Sequence, residues 1–223
     1  MMHMPSRRRT TALPFVLLLA SLTAAPARLP AQGAAATSHD YTKADVDFMQ
    51  GMIMHHAQAI VMSEWAPTHD ASPTVQTVCK RIAISQRDEI HLMQSWLQKR
   101  HLAAPDPLHM LTNQRGPIHD RSKMNMPGMD MSDHPMMMKG MLTPAQMRQL
   151  DAARGMAFDT LYLTGMIRHH EGALDMVTTL FSTPGSGQQS DISALATDID
   201  AGQRAEIARM QALLNTLTAS HAK

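Results

Sequence analysis

Cysteine and aromatic residues are scarce in this chain of 223 residues. It contains one cysteine, two tryptophans and two tyrosines. A single cysteine excludes an intramolecular disulfide, a Cys-x-x-Cys redox motif, a thiolate zinc site and covalent attachment of c-type haem. With aromatics at only 4% of the residues, a β-sandwich or β-barrel is also disfavoured. These absences favour an all-α protein in which any metal site uses methionine, histidine or carboxylate ligands.

Strong net charge and long apolar runs are also missing. The formal charge is +1 and falls to about −2 without Arg7–Arg9, so the chain lacks a basic footprint for nucleic acid. The apolar run Ala12–Ala25, followed by Ala25-Pro26-Ala27, predicts a cleavable signal peptide over residues 1–27. No later run reaches the roughly 20 apolar residues that a membrane helix needs. We therefore expect an exported protein, periplasmic or secreted, with a flexible segment at 28–40 and no membrane span in its mature form.

Methionine and histidine, in contrast, are abundant, with 22 and 13 residues. Part of this excess lies in an internal repeat. Residues 48–62 align with residues 162–176 at an offset of 114, and both copies carry Met-Ile-x-His-His. Residues 86–94 align with residues 203–211 at an offset of 117, through Gln-Arg-x-Glu-Ile-x-x-Met-Gln. Each half of the chain therefore holds the same two elements in the same order, which indicates a duplication.

Capping signals divide the chain into four helical segments. The predicted helix starts are Thr42, Ser72, Thr143 and Ser190, and the predicted ends are about Trp65, His101, Phe181 and Leu217. The third segment could bend at Gly155. Two helical hairpins, at 41–104 and 142–218, are joined by a long linker at 105–141. Short connections within each half favour an antiparallel four-helix bundle that forms one domain.

The spacing within each repeat brings thioether and imidazole groups to one helix face. Met52 and His56 stand one turn apart, as do Met166 and His170, so each pair can converge on one ion. Sulfur and imidazole nitrogen together suit Cu(I) and, by extension, Ag(I), whereas Mg²⁺ and Ca²⁺ reject sulfur. The pattern therefore predicts copper or silver binding.

A structural interpretation of the same residues stays open. Methionines at helical spacing ordinarily fill helical cores. His55 and His169, one step around the helix from the paired positions, are further candidate ligands, but all four histidines could instead be core residues satisfied by Glu89 and Glu206. Both interpretations can hold together, because a carboxylate often orients a metal-bound histidine.

The linker at 105–141 combines helix breakers with clustered soft donors, which predicts a loop or disordered arm. Its candidate ligands are Met124, Met126, Met129, Met131, His134, Met136, Met137 and Met138. Thioethers on a flexible backbone predict metal capture. The alternative is a solvated low-complexity tether, although such tethers normally avoid methionine.

Both Met-Ile-x-His-His motifs and both Gln-x-x-Glu-Ile-x-x-Met segments resemble the domain of unknown function 305 family, over about Tyr41 to Leu217. The resemblance implies an exported, ferritin-like four-helix bundle. It also implies binding of copper or silver, because the family includes a periplasmic copper-binding member. The ligands that it implies are Met52, His56, Met166 and His170, with Met93 and Met210 nearby. The first copy departs from the commoner pattern, since Ala57 stands where a polar residue often follows the histidine pair.

The sequence thus predicts a protein that binds Cu(I) or Ag(I) as a buffer, chaperone or resistance factor, with metal ions and other copper-handling proteins as partners. An enzyme is not expected: di-iron sites use Glu-x-x-His elements, and no glutamate here is followed by histidine three residues later. Two alternatives remain. One is an envelope stress or interaction module with structural His-Glu clusters, and the other is a bundle that holds non-covalent haem between methionine and histidine.

Overall fold

Five α-helices and no strands form the part of the chain that the computed structural model describes, residues 40–107 and 138–221. The helices are α1 (Lys43–Glu64), α2 (Pro73–Lys99), α3 (Pro144–Ala152), α4 (Gly155–Ser182) and α5 (Ser190–His221), and a 3-10 turn (Ala66–Thr68) follows α1. The all-α prediction is confirmed. The predicted signal peptide at 1–27, nearly all of segment 28–40 and most of the linker lie outside the described residues. Within those residues, no helix combines the length and the apolar character needed to cross a membrane.

Helices α1, α2, α3 and α5 begin where the capping signals predict. The Thr42 backbone N–H donates to the Asp45 carboxylate at 2.7 Å, and the Asp45 N–H donates back to the Thr42 hydroxyl at 3.2 Å. Thr143 and Gln146 form the same reciprocal pair at the start of α3. Each capping box satisfies backbone donors that the first helical turn leaves free. Local sequence therefore fixes these two helix starts.

The third predicted segment is broken rather than bent, so the prediction of one continuous helix there is wrong. Helix α3 ends at Ala152, and α4 begins at Gly155 with φ +56°, a left-handed conformation that glycine adopts readily. The Gly155 N–H donates to the His69 carbonyl at 2.8 Å, while His69 Nε2 lies 2.8 Å from the Asp151 carbonyl oxygen. In a continuous helix the Gly155 N–H would donate to the Asp151 carbonyl. Here both groups bind His69, in the turn between α1 and α2, instead.

Helices α1 and α2 pack as one hairpin and α4 and α5 as the other, with α1 lying against α4. Two apolar clusters fill the interior. The first joins Phe48 and Met52 of α1 to Met93 of α2 and to the later part of α4. The second joins the later part of α1 to the early part of α2, to Tyr162 of α4 and to Met210 of α5. Because the start of each helix shares a cluster with the end of its neighbour, the bundle is antiparallel.

Candidate metal centre

Where the two apolar clusters meet, polar side chains are buried in the middle of the bundle. His55 and His56 of α1 and His169 and His170 of α4 are each 0% exposed. We call these four residues the imidazole layer. The duplicated Met-Ile-x-His-His motif produces it, because equivalent positions of α1 and α4 face each other across the interior. The structure therefore brings together all four histidines that the sequence singled out.

In each half of the layer, one histidine ring is anchored by one glutamate. His56 Nε2 donates to Glu89 Oε2 at 2.5 Å, and His170 Nε2 donates to Glu206 Oε2 at 2.7 Å. Helices α2 and α5 supply the carboxylates, from equivalent positions in the aligned segments 86–94 and 203–211. The His–Glu contacts expected from the structural interpretation are thus present in both halves. They are also the arrangement that orients a metal-binding imidazole.

A backbone carbonyl anchors a third ring. His55 Nε2 lies 3.2 Å from the Lys139 carbonyl oxygen, which can only accept a hydrogen bond. The Nε2 atom therefore carries the hydrogen, and the lone pair of the neutral ring is on Nδ1. Among the described residues, the Nδ1 atoms of His55, His56 and His170 are buried without a hydrogen-bond partner, as are both ring nitrogens of His169. The His55 and His169 rings lie close, with centroids 3.8 Å apart.

Burial keeps three rings of the layer neutral. It lowers the pKa of His55 to about 3, helped by the neighbouring His56. Burial also holds the pKa of His169 well below its ordinary value, with His55 adding to the effect. The pKa of His170 is lowered by burial as well, although its contact with Glu206 opposes the shift. At neutral pH these three rings are uncharged, which is the form that binds metal ions.

Residues 138–142, which we call the strap, cross the α1–α4 face next to the layer. The Gln58 side chain holds the strap through both backbone groups of Leu142, donating to the carbonyl at 3.0 Å and accepting from the N–H at 2.7 Å. A Cβ atom on Gly172 would collide with the Lys139 carbonyl oxygen, so glycine there permits the close approach. Gly140, at φ +83°, makes the turn. The strap thereby places the Lys139 carbonyl against His55.

The candidate methionines are divided between the two ends of the interior. Met52 and Met93 are fully buried in the first apolar cluster, and Met166 and Met210 are fully buried in the second. The structure therefore does not gather these four thioethers into one group. Of the arm candidates, only Met138 is described, and its sulfur lies beside Gly51 of α1. Seven arm residues lie outside the described residues: Met124, Met126, Met129, Met131, His134, Met136 and Met137.

Sequence reasoning missed two glutamines and one backbone group. Gln86 and Gln203 are buried at 1% and 3% exposure, one turn before Glu89 and Glu206 respectively. Both polar atoms of the Gln86 amide, and the Gln203 carbonyl oxygen, lack a partner within the described part of the chain. The sequence signal that could have found these glutamines is that Gln86 aligns with Gln203 between segments 86–94 and 203–211. The Lys139 carbonyl carried no signal, because any residue type supplies that group.

In residues 40–107 and 138–221, no three side chains among His, Cys, Asp and Glu are placed to hold a metal ion together. What the layer offers is a set of separate imidazole lone pairs, several of them oriented by a hydrogen bond through the opposite nitrogen.

The family model for the domain of unknown function DUF305 matches residues 45–215. The chain belongs to the DUF305 family. A DUF305 protein from Streptomyces coelicolor, classed as secreted, has a similar structure, with a TM-score of 0.61 and 24% identity over 80% of this chain and 95% of that one. CopM in its Cu(I)-bound form is also similar, with a TM-score of 0.54 and 22% identity over 77% of this chain and 96% of CopM. CopM has also been solved with Cu(II) and with Ag bound.

A curated sequence relative matches only a part of the chain. The uncharacterized protein L153 of Acanthamoeba polyphaga mimivirus is 40% identical over 58 residues, which are 26% of this chain and 38% of that protein. The chain thus aligns with little more than a third of this relative. The family match and the helical structures confirm the DUF305 resemblance and the bundle fold.

Proposed function

We propose that this DUF305 protein is an exported binding protein for Cu(I) and Ag(I) that acts as a metal buffer, chaperone or resistance factor rather than as an enzyme. One observation carries the proposal: the buried rings of His55, His56 and His170 are each anchored through Nε2, and each leaves Nδ1 without a partner. A buried lone pair without a hydrogen-bond donor is costly for a purely structural histidine. An ion bound at Nδ1 would remove that cost.

The donor chemistry supports a soft monovalent ion. The imidazoles of His55, His169 and His170 are neutral at pH 7, and each of the two apolar clusters contains fully buried thioethers. Thioether sulfur selects Cu(I) over Mg²⁺, Ca²⁺ and other hard cations, and Cu(I) and Ag(I) accept low coordination numbers. The Cu(I)-, Cu(II)- and Ag-bound structures of CopM support the same ions for a bundle of this shape.

Export rests on the leader pattern at residues 1–27 and on the similarity to a Streptomyces coelicolor protein classed as secreted. N-terminal sequencing of exported material tests it. We expect a mature chain that begins shortly after the Ala25-Pro26-Ala27 site. An intact Met1 on exported protein would contradict the proposal.

Metal binding is tested by titrating the full chain with Cu(I) against a chromophoric Cu(I) chelator. The variant His56→Gln/His170→Gln removes the two glutamate-anchored imidazoles, while the glutamine amides can still donate to Glu89 and Glu206. The matched control is His91→Gln, which removes an exposed histidine of α2. We expect the wild-type chain and the control to compete with the chelator, and the double variant to bind at least about tenfold more weakly.

Equal Cu(I) affinity in the wild-type chain and the double variant would exclude the imidazole layer as the metal centre. The contacts of His56 with Glu89 and of His170 with Glu206 would then be structural only, as in the envelope-module alternative. Unfolding of both proteins by urea, monitored by circular dichroism, shows whether the variant retains the bundle. That measurement separates lost metal affinity from lost structure.

A further inference from the structure

Two thioether side chains meet over a glycine of α1, at the point where the Met-rich linker re-enters the described structure. Met138 Sδ lies 3.5 Å from the position that a Cβ atom on Gly51 would take, and Met176 Cε of α4 lies 3.3 Å from the same position. The missing side chain at Gly51 thus leaves the space that both methionines use. The strap and α4 each contribute one thioether to it.

This methionine pair lies next to the imidazole layer. Gly51 is one turn before His55 on α1, so the two positions share a helix face. Met138 directly precedes Lys139, whose carbonyl oxygen accepts the hydrogen bond from His55 Nε2 at 3.2 Å. Met138 and Met176 are only partly buried, whereas His55 is 0% exposed. The pair is therefore partly accessible to solvent and lies one helical turn from His55.

The internal repeat provides a comparison for packing. Gly165 of α4 is the equivalent of Gly51, and a Cβ atom there would lie 3.2 Å from Leu142 Cδ2 and 3.6 Å from Met62 Cε. Met62 is the repeat equivalent of Met176, and it is fully buried. We call the space beside each of these glycines a notch. The strap fills the Gly165 notch with Leu142 and the Gly51 notch with Met138. Because leucine suffices to pack such a notch, packing alone does not explain the second sulfur at Met138.

We propose that Met138 and Met176 form a thioether subsite for Cu(I) or Ag(I) at the entrance to the imidazole layer. The subsite deepens the proposed function and rests on it, because it would take the same soft ions one helical turn from His55. Uncharged thioethers bind soft monovalent ions and do not titrate, so the subsite stays competent in mild acid, in which exposed imidazoles become protonated. The Lys139–Asp175 ion pair, at 2.7 Å, and the Gln58 contacts with Leu142 hold the strap in place.

The test is an Ag(I) titration of the full chain labelled with ¹³C in its methionine methyl groups, followed by NMR. Met138→Leu and Met176→Leu assign the two signals and remove the sulfurs at nearly constant volume. The matched control is Met62→Leu, which changes the equivalent methionine in the other notch. We expect the Met138 and Met176 signals to shift together while the Met62 signal stays. We also expect Met138→Leu/Met176→Leu to bind one Ag(I) fewer than the wild-type chain, and Met62→Leu to bind the same number.

Histidine signals recorded in the same titration separate the two proposals. If Ag(I) shifts the imidazole signals but leaves both methyl signals unchanged, the subsite is refuted and the imidazole centre stands. If the methyl signals shift and the imidazoles do not respond, the subsite binds the ion and the proposed centre fails. Gly51→Ala gives an independent check, because its added methyl group would take up the space that the two thioethers share, 3.3 Å from Met176 Cε and 3.5 Å from Met138 Sδ. It should weaken Ag(I) binding at the subsite, Gly165→Ala should not, and equal effects of the two would count against the subsite.

Discussion

Acidification of the metal-free protein should destabilise the bundle through the imidazole layer. Burial lowers the pKa of His55 to about 3 and lowers those of His169 and His170 from their ordinary value of 6.5. At a pH between the folded and unfolded pKa of each ring, the unfolded chain binds more protons than the folded chain does. The free energy of unfolding therefore falls as the pH drops below about 6.5, and the contribution of His55 continues to fall until the pH approaches about 3.

The size of the effect follows from the His55 shift. Between pH 7 and pH 5.5, a histidine with a pKa of about 3 when folded and about 6.5 when unfolded loses about 1 kcal/mol of stabilisation. His169 and His170 act in the same direction. Since small domains are stable by only about 5–15 kcal/mol, such a loss is easily measured. Stopping at pH 5.5 keeps most ordinary carboxyl groups ionised.

The assay is urea unfolding of the metal-free full chain at pH 7 and pH 5.5, monitored by circular dichroism. His55→Gln removes one buried titrating group and should reduce the pH dependence, while His91→Gln removes an exposed histidine and should leave it unchanged. A free energy of unfolding in the wild-type chain that is constant or increases on acidification would refute the reasoning. Equal pH dependence in the wild-type chain and His55→Gln would exclude a contribution from that ring.

Three further predictions concern the anchors, the strap and the arm. Glu206→Gln should weaken Cu(I) binding by about 10–100-fold in a chelator competition, with nearly native circular dichroism, because the orientation of His170 is lost. Gly172→Ala should lower Tm, because its Cβ atom collides with the Lys139 carbonyl oxygen, whereas Gly202→Ala, with nothing within 4 Å of the new methyl group, should raise stability by up to about 1 kcal/mol. Deletion of residues 124–137 should lower the number of Cu(I) ions bound while leaving the tightest site and the Tm of the metal-free bundle unchanged, and loss of the tightest site would show that the arm completes it.

The helices and the imidazole layer could be predicted from sequence because each depends on a local or repeated signal. Thr42 and Thr143 begin helices through partners three residues away, which a capping box makes visible. The histidine pairs and their glutamates recur in both halves, so their alignment indicated that they occupy equivalent places. Periodicity alone would not have separated them from ordinary core positions.

The break before α4 and the docking of the strap depend on contacts distant in sequence. The predicted continuous helix is broken before Gly155, where the Gly155 N–H donates to the His69 carbonyl in the turn after α1. The Lys139 carbonyl reaches His55, 84 residues earlier, through a backbone group that no side-chain pattern reveals. Separation of the buried methionines into two clusters likewise follows from antiparallel packing, which helical spacing within one helix does not specify.

The strap explains why the two repeats differ just after their histidine pairs. A duplicated bundle offers two equivalent faces, but one chain segment crosses the α1–α4 face once, so equivalent positions meet different parts of it. Gln58 binds the backbone of Leu142, and its repeat equivalent Gly172 admits the Lys139 carbonyl. The two copies therefore differ, Ala57-Gln58 against Glu171-Gly172, where the strap is held. The duplicated motif supplies the two pairs of imidazoles. Because the two copies differ after these pairs, the strap docks in one orientation, which places the partly exposed Met138 beside Gly51 and not beside Gly165.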